Sequence, residues 1–331
     1  MSGSRNDAIH FFLQLSVFSE RVFSKLGICN SYSPWSQDGL DFKGAIIHYT
    51  GGTDPFNTIR WFMKRKFQEE IPSSKRSSAH LVVADGWPEG MKSFAWDLDS
   101  IKILESMIVE CVPPNRKAWH AGWANTEFYG IEIVNRGPVL AKNKEEEKGT
   151  VRVNDRNWEM YTFEQLASVS RVVRHLKNLR GDRFDTNLVL GHEHVQKNKR
   201  DPGPLFPMAQ LRDFLTKYES AVGGWTISCL DHVDDMRNRL LHGYARSKMT
   251  WDLVFDSVRS SSSVCFDPWY KAMFRLLGYP TSVGGDGVCH VDTQSIKIFQ
   301  RMMGLKRDGI PGAKTKAAIL DRAISLGFLE Q

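Results

Sequence analysis

No stretch of the 331 residues stays apolar for the roughly 20 positions a membrane-crossing helix needs. The best candidate, Ala8 to Phe18, is short and is interrupted by His10 and Gln14. It follows Arg5 and Asp7 rather than a basic stretch leading to a small-residue cleavage site, so it reads as an amphipathic helix, with an unusual export signal as the alternative. Cysteine is scarce as well. The five present (Cys29, Cys111, Cys229, Cys265 and Cys289) are odd in number, far apart and without a C-x-x-C pair, so neither a zinc finger nor a full disulfide framework is indicated. Free, mostly buried thiols in a chain made in a reducing cytosol are expected. Acidic residues are in deficit, 38 against 44 Lys and Arg, for a formal net charge of +6 and a pI near 9.0. Such a chain approaches polyanions; nucleic acid and the anionic surface of a bacterial wall fit that balance equally, and charge does not choose between them.

What is present is ordinary for a soluble globular protein, with 41% hydrophobic and 25% charged residues, in a chain long enough for two compact domains. Gly44 to Thr50 is a β-branched run closed by Gly51 and Gly52, and predicts a strand. Asp54 then caps a helix running to about Glu70, with Phe56, Ile59, Phe62, Met63 and Phe67 at helical spacing. Further strands are predicted at Ala79 to Ala84, Ile103 to Val112, Tyr129 to Val134 and Leu188 to Gly191. Thr162 to Leu179 is an amphipathic helix whose Thr162 and Gln165 form a capping-box pattern, and Phe206 to Tyr218 a closing helix. Lys142 to Thr150 is a charged insertion that reads as a solvated loop. Strands alternating with helices predict one α/β domain, a central mixed sheet flanked by helices. The expected division is a helical extension over 1–40, a catalytic domain over 41–220, a helical linker over 221–265 and a small all-α domain over 266–331.

Three residues able to hold a metal sit at strand ends and in loops, where a scaffold can aim them at one point. His48 lies near the end of the first strand, His192 directly follows the last, and Asp201 comes nine positions later within Lys199-Arg200-Asp201-Pro202-Gly203-Pro204. Two imidazoles and a carboxylate leave a tetrahedral zinc one open position, the way hydrolytic zinc sites are built. None of these pieces is specific alone: a lone strand histidine is usually a hydrogen-bonded structural residue, and His192-Glu193-His194 before a basic run can be a plain polar loop. At strand-like spacing His194 shares a face with His192, so it competes for the metal or supports it from behind. Glu132, within a mostly apolar strand, is a carboxylate that needs either a task or a partner such as Arg136 or Lys199.

The segments AIIHYTGG (45–52), SAHLVV (78–83), AWHAG (118–122), YGIEIVNRGP (129–138) and LGHEHVQKNKRDPGP (190–204) together resemble the zinc amidases that include phage endolysins, anhydro-muropeptide amidases and the animal peptidoglycan-recognition proteins. They occur in that family's order and span most of residues 44 to 218. The resemblance implies one zinc ion held by His48, His192 and Asp201, the last standing where some members carry cysteine. It implies Glu132 as general base and Lys199 as the cation facing the oxyanion. Where some relatives have a catalytic tyrosine this chain has Ala79, which leaves the base role to Glu132. Trp119, His120 and His80 are implied on the substrate groove, although a packed aromatic corner also accounts for Trp119 and His120.

The last segment has its own pattern: Gly278-Tyr279-Pro280 ending one apolar helix, a helix over Val291 to Met303, then Asp308-Gly309-Ile310-Pro311-Gly312 and Thr315 opening a third over Lys314 to Ala323. This resembles the three-helix peptidoglycan-binding domain with its GYP, IKxFQ and DGIxGxxT signatures. The two resemblances together imply an N-acetylmuramoyl-L-alanine amidase acting on the intact sacculus as a monomer, with peptidoglycan as substrate and as ligand of the C-terminal domain. No nucleic-acid partner and no membrane span are expected. A phage endolysin, made in the cytoplasm without a signal peptide and released through a holin-type pore, is the expected setting. A secreted or effector-type bacterial amidase, or a recognition protein without catalysis, are the alternatives.

Overall fold

The computed structural model describes residues 19, 23, 32–63, 76–85, 107–139, 150–153, 156–208, 211–212, 215, 274, 277–283 and 289–325. Two compact units divide the chain: residues up to His192 together with Asp201–Phe206, and Glu193–Arg200 together with Pro207 onward.

The first unit is built on a five-stranded sheet. Its strands follow a short β1 (Ser36–Asp38): β2 (Gly44–Tyr49), then, after helix α1 (Pro55–Met63), β3 (Leu81–Ala84) and β4 (Met107–Glu110). After β5 (Arg116–Ala118) comes β6 (Phe128–Ile133), then β7 (Pro138–Val139), β8 (Thr150–Val153), β9 (Arg156–Glu159), α2 (Phe163–Arg180) and β10 (Val189–Gly191). The sheet order is β10-β2-β6-β3-β4, with only the β3–β4 pair antiparallel. The sheet is therefore mixed, as expected. Its inner strands are buried almost end to end, which is why they read as continuous apolar runs instead of alternating ones. Ile59, Phe62 and Met63 of α1 pack against Val82, Ala84, Met107 and Val109, joined by Phe23 from the N-terminal segment.

α2 begins as its sequence predicts. Thr162 accepts from the Gln165 amide and Gln165 returns a bond to the Thr162 amide, a complete capping box. The Gln165 amide group also donates to the carbonyl of Val134, tying the helix start to the end of β6. The β1–β5 pair and the three-stranded β7-β9-β8 ladder are not anticipated from the sequence. Those strands are two to four residues long and carry Arg116, Lys117, Arg156 and Glu159, so no apolar alternation announces them. The predicted helix at 8–18, the linker at 221–265, the rest of the α1 prediction beyond Met63 and most of the charged insertion lie outside the described residues.

In the second unit, Met208, Leu211, Arg212 and Leu215 are helical, in line with the expected closing helix. It continues with β11 (Thr281–Val283), β12 (Cys289–Val291), α3 (Thr293–Met302) and α4 (Ala313–Ser325). The unit also contains the short antiparallel β11–β12 pair, which adds to the expected helices. β-branched Thr281, Val283 and Val291 flank Gly284-Gly285-Asp286-Gly287, a turn composition that favours a hairpin. Asp292 caps α3 by accepting from the Gln294 and Ser295 amides. Phe274, Tyr279 and Phe299 pack edge to face in the core of this unit.

Candidate metal centre

β10 lies parallel to β2 with Gly191 opposite Ile47, so the next residue, His192, comes level with His48. Asp201 returns to the same point from the turn that follows. The three ligand atoms form a nearly equilateral triangle: His48 Nδ1 to His192 Nδ1 is 3.0 Å, and Asp201 Oδ2 is 2.9 Å from each. All three side chains are buried.

The donor set suits a borderline cation such as zinc, for which bonds to nitrogen and oxygen are about 2.0–2.2 Å. A triangle with sides of 2.9–3.0 Å is small enough for one ion to reach every vertex. Among the described residues no other group of three or more His, Cys, Asp or Glu side chains converges in this way.

Around the triangle, β6 runs parallel to β2 with Glu132 opposite His48. Residues in register on parallel strands project to the same face, so Glu132 stands beside the first histidine. Lys199 is half-buried two positions before Asp201, and its carbonyl accepts from Arg322. Trp119 is 43% exposed, available to a ligand. His120 is partly buried with Nδ1 2.9 Å from Nε2 of His48, and its own Nε2 is 3.3 Å from the Phe128 carbonyl. Loss of hydration, then the neighbouring His48, His80 and His192, keep its ring well below the ordinary histidine pKa.

The expectation for His80 is corrected here, and the alternatives left open for His194 are resolved. His80 is fully buried, stacked on Tyr129 at 4.0 Å, with Nδ1 accepting from the Gly130 amide and Nε2 donating to the Arg116 carbonyl. Burial lowers its pKa to about 3, and with both nitrogens occupied internally it has no atom for substrate. His194 lies in a 3-10 turn (His192–His194), so strand spacing does not apply. Within the second unit its Nε2 is 2.7 Å from the Leu277 carbonyl and its ring packs edge-on to Tyr279. It is no part of the ligand triangle. The sequence gives no signal for Asn125, whose Oδ1 accepts from the amides of His120 and Ala121 and so sets the shape of the AWHAG loop.

The sequence profile of the N-acetylmuramoyl-L-alanine amidase family matches residues 38–204, just over half of the chain and the whole of this site. The chain belongs to that family. The reaction is in its name: hydrolysis of the amide between N-acetylmuramic acid and L-alanine of the peptidoglycan stem. Similar solved structures include AmpDh3 from Pseudomonas aeruginosa (19% identity, 90% of this chain and 97% of that one, TM-score 0.37). The amidase AmiD from E. coli, in complex with an anhydro-N-acetylmuramic acid peptide, is 18% identical over 86% of this chain and 90% of that one (TM-score 0.37). The endolysin amidase LysCS from Clostridium intestinale is 16% identical over 56% and 90% (TM-score 0.34). No curated protein matches the amidase at a significant level. No helix among its described residues is long and apolar enough to cross a membrane.

Proposed function

We propose that this amidase is zinc-dependent and acts on the intact sacculus, with His48, His192 and Asp201 holding the metal. The observation that carries this reading is the buried triangle of two imidazole nitrogens and one carboxylate oxygen, all within 3.0 Å of one another. A zinc ion bound there supplies Lewis acidity towards the scissile carbonyl and activates water near neutral pH. The remaining chemistry belongs to the chain. Glu132 takes the proton of the attacking water and returns it to the alanine nitrogen as the amide breaks. The Lys199 ammonium faces the charge that develops on the carbonyl oxygen. Trp119 lines the groove beside the reacting bond.

The C-terminal residues 266–331 are read as a wall-binding domain, joined to a catalytic domain over 41–220. Tethering raises the effective concentration of a catalyst on an insoluble polymer, and this pairing is the reason to favour sacculus over small soluble muropeptides. A phage endolysin is the setting we favour. The test is digestion of purified sacculi with and without a zinc chelator, scoring new amino groups against new reducing ends. Chelator-sensitive release of amines at L-alanine without reducing ends is expected; release that the chelator leaves untouched would refute the metal assignment.

A further inference from the structure

We propose that His120 is a positioning residue for the metal site, accepting the Nε2 proton of His48 and so turning the Nδ1 lone pair of His48 towards the metal. This rests on the zinc reading above and gives His120 a duty separate from the substrate groove. The proton positions follow from the hydrogen-bond chain. The Phe128 carbonyl can only accept, so the His120 Nε2 beside it carries the hydrogen. In a neutral ring that leaves His120 Nδ1 as an acceptor, and the atom facing it at 2.9 Å is His48 Nε2. His48 Nε2 therefore holds the proton, and the lone pair of this neutral ring is on Nδ1. That lone pair points at Asp201 Oδ2, itself an acceptor, and at His192 Nδ1, 2.9 and 3.0 Å away. Lone pairs that converge so closely call for a cation between them.

Two independent parts of the chain hold His120 for this. Asn125 fixes its backbone amide from the loop side at 3.0 Å. From the sheet side its ring lies against Gly130, where an added Cβ would come within 2.7 Å of the ring Cγ. The glycine of YGIEIV is thus explained by the imidazole resting on the strand, two residues before Glu132, which pairs with His48. Partners of this kind, which fix the tautomer and angle of a ligating histidine, are worth about 10–100-fold in metal affinity.

The test compares the full-length wild type with His120→Leu, His120→Asn and Gly130→Ala. Zinc dissociation constants are measured by chelator competition, the visible spectrum of the cobalt(II) form is recorded, and kcat and KM are determined at saturating zinc. His120→Leu should bind zinc about 10–100-fold more weakly and shift the cobalt spectrum, with KM little changed. His120→Asn, whose side-chain oxygen can stand where Nδ1 does, should recover most of the affinity. Gly130→Ala keeps the imidazole but displaces it, and should weaken zinc in the same direction. Wild-type zinc affinity in His120→Leu, with a raised KM, would overturn the proposal and return His120 to the groove. Failure of the wild type itself to bind zinc would instead bring down the metal reading on which the proposal stands.

Discussion

Both units bury a cluster of polar side chains, and the two clusters are wired in opposite ways. In the second unit Gln300, only 1% exposed, spends its whole amide locally. Its nitrogen donates to Asp308 Oδ1, the Ile310 carbonyl and Thr315 Oγ1, and its oxygen accepts from the Gly309 amide. Donors meet acceptors, nothing points at empty space, and the result is a fixed turn between α3 and α4. In the first unit His48, His192 and Asp201 bring three electron-pair donors to one point. Buried polar groups are normally satisfied by one another. A cluster whose ligand atoms converge in this way could hold a metal ion. By this contrast a ligand site can be told from a structural network when both are buried and both are rich in hydrogen bonds.

Substitutions break the contrast most sharply at the metal triangle. Asp201→Ala should lose zinc, and turnover should fall more than about 1,000-fold, because the metal and its chemistry go together. Glu132→Ala should keep the zinc content of the wild type and lose about 100- to 10,000-fold in kcat, the range for a positioned proton carrier. Metal analysis alongside steady-state kinetics separates the two. If Glu132→Ala turned over normally, the base would have to be sought elsewhere.

The sequence made legible whatever depends on local pattern. The inner strands, the Thr162–Gln165 capping box and the strand-end positions of His48 and His192 can each be argued from a few neighbouring residues, and the structure bears out the strands and the cap. What escaped depends on which way a side chain turns and what lies over it. SAHLVV places His80 within a predicted strand, but only its contacts with Gly130 of β6 and Arg116 of β5 show that both its nitrogens are taken. His194 reads as strand-spaced because nothing in Gly191-His192-Glu193-His194 marks the 3-10 turn that sends it towards Tyr279. The contact between His120 and His48 spans 72 positions, and no local pattern encodes it.

Glu110 sharpens the comparison from another side, being a buried polar group in the first unit that belongs to neither kind of cluster. It is 1% exposed at the end of β4, and its backbone amide donates to Ser19 Oγ. Among the described residues, its Oε2 has no hydrogen-bond partner. Burial pushes its carboxyl up to about 8, against a hydrogen bond from Tyr32 that pulls it down. The folded protein therefore holds this proton between about pH 4.5 and 8 while the unfolded chain has released it, so stability falls as pH rises through that window and levels off above it. The loss is on the order of a few kcal/mol. Glu110→Gln keeps the shape and removes the titration. Urea unfolding at pH 5 and pH 8 should show a pronounced loss in the wild type and a much smaller one in the variant. Equal losses in both would mean that Glu110 is ionised in the fold.

The smallest effect is expected where the polar network is complete. Gln300→Ala would orphan the Gly309 amide in a turn that needs it, since Gly309 sits at a positive φ of 75° that a side chain would strain. It would also take away the donor shared by the Ile310 carbonyl and Thr315. Leaving such groups unsatisfied costs about 1–3 kcal/mol, felt within the second unit as a lower unfolding midpoint. Gln300→Glu is the more informative partner, because it keeps the acceptor for Gly309 and deletes only the donors. If the network is structural, both variants should destabilise the second unit while zinc content and kcat on a small soluble muropeptide stay at wild-type values. A change in either quantity would mean that this cluster answers to something beyond its own hydrogen bonds.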